Sequence, residues 1–106
     1  MLGHLGVDVA DLTIASGYNG GLMSLLGYET FLASKDTVAF RPADGRRGAS
    51  LFFYAAEQDG PYSRRRPGLQ HLAFTAPTRG AVRAVHDHVV AAGSVVLHPP
   101  RAWSHD

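Results

Sequence analysis

The sequence predicts an α+β fold in which one strand–helix–strand pattern occurs twice, and three observations carry that prediction. Residues 2–9 and 68–76 alternate between apolar and other residues with period two, the period of a strand. After each of them comes a stretch with apolar residues at helical spacing. Each alternating stretch also places a large apolar residue directly after a histidine, His4-Leu5 and His71-Leu72, so the second half begins as the first does.

The first strand, residues 2–9, puts Leu5, Val7 and Val9 on one face and His4, Gly6 and Asp8 on the other. Asp11 can cap the helix that follows. Ile14, Tyr18, Leu22, Leu25 and Leu26 share one helical face, and Gly27 is a natural stop. Gly17, Gly20 and Gly21 fall inside it at about 1 kcal/mol each relative to Ala, so a late start or an irregular helix is expected. Residues 28–34 and 37–42 read as two short strands joined at Lys35-Asp36. Asp44-Gly45 marks a second turn, and a strand from Ala49 to Ala55 follows, with Leu51 and Phe53 on one face and Phe52 and Tyr54 on the other.

Residues 58–67 form a polar linker containing Gly60-Pro61, Arg64-Arg65-Arg66 and Pro67. In the strand at 68–76, Leu72 and Phe74 face one way and His71, Ala73 and Thr75 the other. Thr78 can cap a helix running to about Ala92, with Val82, Val85 and Val89 on its apolar face and Gly93 at its end. A strand at Ser94–Leu97 is expected to close the chain before His98-Pro99-Pro100. The expected organisation is a single domain over residues 1–106. Its first module covers about 1–57, and its second, 68–106, stops about two strands short of a full copy. Because an unfinished repeat leaves an open sheet edge, a further C-terminal piece is expected, or else cover from a partner chain.

With 106 residues the chain supports one domain at most. Ten basic against nine acidic residues leave a formal charge of +1, which offers nucleic acid or an anionic membrane no electrostatic handle. No cysteine is present, so disulfides, thiolate metal sites and cysteine nucleophiles are excluded. With no signal peptide and no long apolar run, a soluble, cytoplasmic protein is expected. Neither a phosphate-binding loop, a dinucleotide fingerprint nor a G-x-S-x-G elbow occurs.

Among the remaining histidines, His86 and His88 stand two apart on a helix and point apart, with His86 nearer the apolar face and His88 nearer solvent. His98, at a strand end before two prolines, can approach a cleft mouth. His105 lies in a tail with no pattern, and the arginine run in the linker reads as a solvated segment. Phe52 and Tyr54 read as core, whereas Phe53 is expected to share the cleft face with His4 and His71. Asp8 and Ala73 belong to that face, so Phe53, Asp8, Ala73 and His98 are the expected pocket residues.

The whole chain resembles the vicinal oxygen chelate superfamily, which includes glyoxalase I, extradiol dioxygenases, fosfomycin-resistance thiol transferases and bleomycin-resistance proteins. The resemblance rests on His4-Leu5-Gly6-Val7 opening one βαβββ module and Gln70-His71-Leu72-Ala73-Phe74 opening the next. Asp11-Leu12, Leu25-Leu26-Gly27-Tyr28-Glu29 and Phe74-Thr75-Ala76-Pro77-Thr78-Arg79 add to it in order and spacing. It implies paired modules whose curved sheets form a cleft, a small-molecule ligand or substrate, and a homodimer. In metal-dependent members each module's first strand supplies one ligand, which implies His4 and His71 here, completed by a carboxylate that would fall beyond Asp106. Glyoxalase-type members add a Glu or Gln at a position that falls near Phe53, which cannot bind metal, while Glu57 comes too late. What remains is a two-histidine, one-carboxylate site for Fe(II), Mn(II) or Zn(II), as in the dioxygenases and thiol transferases. The alternative is metal-free sequestration of a planar ligand, as in bleomycin-resistance proteins.

Overall fold

The computed structural model describes residues 2–63, 65–69 and 71–101. Arg64, Gln70 and His105, which figure in the sequence reading, lie outside them. Six elements follow in order: β1 His4–Val9, α1 Leu12–Leu25, β2 Tyr28–Ala33, β3 Thr37–Pro42, β4 Ser50–Ala55 and α2 Arg79–Ala91. The strands make one mixed sheet in the order β1-β4-β3-β2, with β1 parallel to β4 and the other pairs antiparallel. The α+β class and the first strand–helix–three-strand module stand as the sequence predicts.

Despite its three glycines, α1 is a continuous helix that starts directly after its cap, where the expectation was a late or irregular start. Asp11 Oδ1 accepts the Ile14 N–H at 3.0 Å, which satisfies one orphan donor of the first turn. The helix ends at Gly27, whose φ of +81° favours glycine. Arg46 reaches that turn, donating to the Gly27 and Ala43 carbonyls and tying the helix end to the loop before β4.

The core lies between α1 and one face of the sheet. Met23, Leu26, Val38, Phe40 and Leu51 are buried there, with Leu5, Val7, Leu12, Leu22 and Phe53 packed against them. The buried stripe of α1 is therefore Leu12, Leu22, Met23 and Leu26. Ile14, expected on that face, is 70% exposed, and Leu25 is also exposed. Two stripes that share Leu22 and Leu26 fit this sequence. The one containing Met23 wins because it faces Phe40 and Leu51.

The strands expected at 68–76 and 94–97 do not form among the described residues; residues 71–76 and 94–97 carry no ladder. A strand exists only when a neighbour accepts its hydrogen bonds, and these alternating segments find none. Instead Phe74 packs edge-on against Tyr28, ring centroids 6.0 Å apart, and Ala76 joins the core. The second helix forms as expected, with Thr78 Oγ1 accepting the Ala81 N–H at 3.0 Å and Gly93 in the left-handed region at its end.

α2 packs on α1 through His88 rather than by apolar contacts alone. The Nε2–H tautomer of His88 donates to the Tyr18 carbonyl oxygen at 3.4 Å, the two rings lie 6.0 Å apart, and Ser94 Oγ donates to the Tyr18 hydroxyl at 3.2 Å. The expectation that His88 lies nearer solvent is corrected: it is half-buried at the helix–helix contact.

Candidate ligand-binding face

One face of the sheet is covered by α1; among the described residues no helix packs on the other. The register decides which residues stand on that open face. In the parallel pair, Gly6 is matched with Phe52 and Asp8 with Tyr54, while Leu5 and Val7 are matched with Leu51 and Phe53. His4, Gly6, Asp8, Phe52 and Tyr54 therefore share the open face. Phe53 points into the core, its ring 5.9 Å from that of Phe40. The assignment of Phe53 to the cleft face is thus reversed, and so is the assignment of Phe52 and Tyr54 to the core.

Phe31 joins them: period two puts it on the face of Glu29, which pairs with Arg41. Its ring lies edge-on to Phe52 at 5.7 Å. The register shifts only after it, between Thr30 and Leu32, so that Leu32 takes the place opposite Ala39. Phe52 is the hub: His4 meets it edge-on at 5.4 Å and Tyr54 stacks nearly parallel to it at 6.0 Å. Ala39, between Phe52 and Leu32 in register, is fully buried beneath this layer. Gly6 is what lets the Tyr54 ring lie across β1, since a Cβ there would sit 2.9 Å from Tyr54 Cε2.

Polar groups rim the aromatic centre. Arg41 sits over the Phe31 ring, its guanidinium carbon 5.2 Å from the centroid, and donates to Glu29 at 3.3 Å. At the other end Asp8, Asp36, Thr37, Tyr54 and Glu57 surround an open hollow of about 960 Å³. Tyr54 and Phe31 keep 36% and 38% of their surface exposed, which leaves ring area available for contact. An apolar floor with a few convergent polar groups is the general character of a small-molecule site.

Of the residues singled out from sequence, His4 and Asp8 stand on this face. Asp8 also lines the hollow, which Ala73 and His98 do not. Ala73 and His98 are exposed on irregular segments. His71 is likewise exposed, on a stretch that is not a strand.

Comparison with solved structures agrees with this geometry. A candidate glyoxalase from Bacillus halodurans superposes with a TM-score of 0.80 at 27% identity, over 92% of this chain and 73% of that one. A glyoxylase/bleomycin resistance protein/dioxygenase domain from Frankia sp. EAN1pec gives a TM-score of 0.72 at 18% identity, over 97% of this chain and 80% of that one. The chain has the fold of these glyoxalase-like proteins, which supports its likeness to the vicinal oxygen chelate superfamily. No family model and no curated protein sequence matches it.

Metal-dependent members of the vicinal oxygen chelate superfamily would need a compact donor set. Among the described residues no three His, Cys, Asp or Glu side chains come together to hold a metal ion. The described residues thus do not build a three-ligand site. Nor is any described helix long and apolar enough to cross a membrane.

Proposed function

We propose that this chain binds a small, planar, oxygen-bearing molecule on the open face of its sheet, in the manner of metal-free, sequestering members of that superfamily. The observation that carries this reading is the ring layer on Phe52. The rings of His4, Phe31 and Tyr54 surround that of Phe52, and the exposed faces of this layer can stack on a flat ligand. Arg41 and Glu29 at one end, and Asp8 and the Tyr54 hydroxyl at the other, would meet its polar edges.

Isothermal titration with catechol and larger fused-ring phenols tests this. Binding is expected in the wild type and should weaken about tenfold in Phe52→Ala, since an aromatic pair contributes roughly 0.5–1.5 kcal/mol beyond the area it buries. Phe31→Ala, on an edge strand, is the second variant should Phe52→Ala unfold. Equal affinity in wild type and both variants would refute the assignment.

A second reading has one observation in its favour: His4 stands on this same face. A divalent ion held by His4 and His71, completed by a carboxylate from outside the described residues, would chelate vicinal oxygens of a substrate and stabilise charge developing on them. Elemental analysis of protein purified without a histidine tag separates the two readings. Near-stoichiometric Fe, Mn or Zn that disappears in His4→Ala/His71→Ala supports the metal-dependent enzyme. Absence of metal after reconstitution removes it. The reading includes one domain of two modules, joined by the linker at 58–67, and a homodimer, as is frequent in this superfamily. Sedimentation velocity checks the dimer, and a monomer at all concentrations would remove it.

A further inference from the structure

Gly6 stands inside β1, matched across the parallel ladder with Phe52, the hub of the ring layer. Its φ lies outside the left-handed region, so the backbone there does not call for glycine. Glycine inside a strand weakens it, and it occurs there where another group must come close. That group is Tyr54. The three atoms nearest to a Cβ on Gly6 would all be carbons of the Tyr54 ring, at 2.9, 3.6 and 3.9 Å. In register Tyr54 is matched with Asp8, not with Gly6. Its ring thus leans off its own row and lies over the row of Gly6 and Phe52.

This lean closes one side of the ligand floor. His4, Phe31 and Tyr54 all bring their rings within 6.0 Å of Phe52, which leaves a floor about one ring wide. Tyr54 also has space on its other side. It is 36% exposed, and it borders the hollow of about 960 Å³ that Asp8, Asp36 and Thr37 line. A side chain at position 6 would turn the ring toward that hollow, because the ladders hold the strands in register while the ring rotates about its own bonds. The floor would then widen across β1.

On the reading of this face as the ligand site, we propose that Gly6 is a positioning residue that sets ligand size. With no side chain of its own, it lets Tyr54 hold the floor to a single flat ring. Gly6 acts through the Tyr54 ring and needs no contact with the ligand itself.

Isothermal titration of wild type, Gly6→Ala, Tyr54→Leu and Gly6→Ala/Tyr54→Leu tests this, with catechol and the naphthalenediol that carries the same adjacent hydroxyls. Wild type is expected to prefer catechol. Gly6→Ala should shift the ratio of the two affinities about tenfold toward the naphthalenediol, the scale of one displaced aromatic contact. Tyr54→Leu should shift it the same way, and Gly6→Ala should then add nothing. A wild type that prefers the naphthalenediol would overturn the proposal. So would a Gly6→Ala effect equal on both ligands, or one that persists without the Tyr54 ring; either would mark Gly6 as merely structural. Should Gly6→Ala fail to fold, an unchanged ratio in Tyr54→Leu overturns it alone. In all these cases binding that still weakens in Phe52→Ala leaves the ligand site standing. A wild type that binds neither ligand removes the site, and this inference with it.

Discussion

The three glycines inside α1 allow a direct test of how α2 docks. Gly17 and Gly20 have open space where a Cβ would go, whereas a Cβ on Gly21 would lie 2.6 Å from His88 Cε1. Helix propensity alone predicts that each Gly→Ala change stabilises by about 0.5–1 kcal/mol. For Gly17→Ala and Gly20→Ala that gain should stand. In a domain of this size it raises the melting temperature by roughly 2–8 °C. For Gly21→Ala the imidazole must swing away. The bond to the Tyr18 carbonyl goes with it, a loss of about 0.5–1.5 kcal/mol, and crowding at the helix–helix contact adds about 1–3 kcal/mol. The net effect is a destabilisation of roughly 0.5–4 kcal/mol, opposite in sign to the effect at Gly17 and Gly20.

Urea denaturation of the three single variants, and of Gly21→Ala in a His88→Ala background, reads this out. With the imidazole gone, Gly21→Ala should become stabilising, like Gly17→Ala, giving a coupling between positions 21 and 88 of about 2 kcal/mol, within the range for residues in contact. If Gly21→Ala stabilises the wild type as much as Gly17→Ala does, His88 does not rest on α1, and the packing of α2 described above is wrong.

Phe40 is 1% exposed at the centre of the core, so Phe40→Ala should cost about 3–5 kcal/mol, a large part of the stability of a small domain; the denaturant midpoint measures it, and a loss under about 1 kcal/mol would contradict the buried position. Asp11→Ala removes the acceptor for the Ile14 N–H and should destabilise by about 1 kcal/mol. The midpoint again reports it, and α1 helicity by circular dichroism should fall with it.

The local signals that chose each element were chemical, and those elements form where the sequence places them. Asp11 and Thr78 carry side-chain oxygens at helix starts, Gly27 and Gly93 supply the left-handed residues at helix ends, and Lys35-Asp36 joins β2 to β3. What misled was tertiary. Alternation at 71–76 and 94–97 is a property of one segment, whereas a ladder is a property of two. His86 and His88 were separable on one helix only by their distance from its apolar stripe, and the contact that decides His88 comes from Tyr18, 70 residues away.

The facing of β4 shows the same limit at the site itself. Period two sorts Ser50, Phe52 and Tyr54 from Leu51 and Phe53 without saying which set meets His4; strand register supplies that parity, and a slip of one residue inverts it. The sequence nonetheless holds a signal that breaks the tie. Ser50 and Tyr54 each carry a hydroxyl, and the Leu51/Phe53 set carries none. Burying the wholly apolar set under α1 leaves no hydroxyl to satisfy in the core, which forces Phe52 outward beside His4. Phe31 follows from the same kind of choice: it has the parity of Glu29, whose partner Arg41 stands on the face of Ala39. The ring layer that best supports a ligand site is thus assembled from register choices. They belong to strand pairs, and no single strand's pattern contains them.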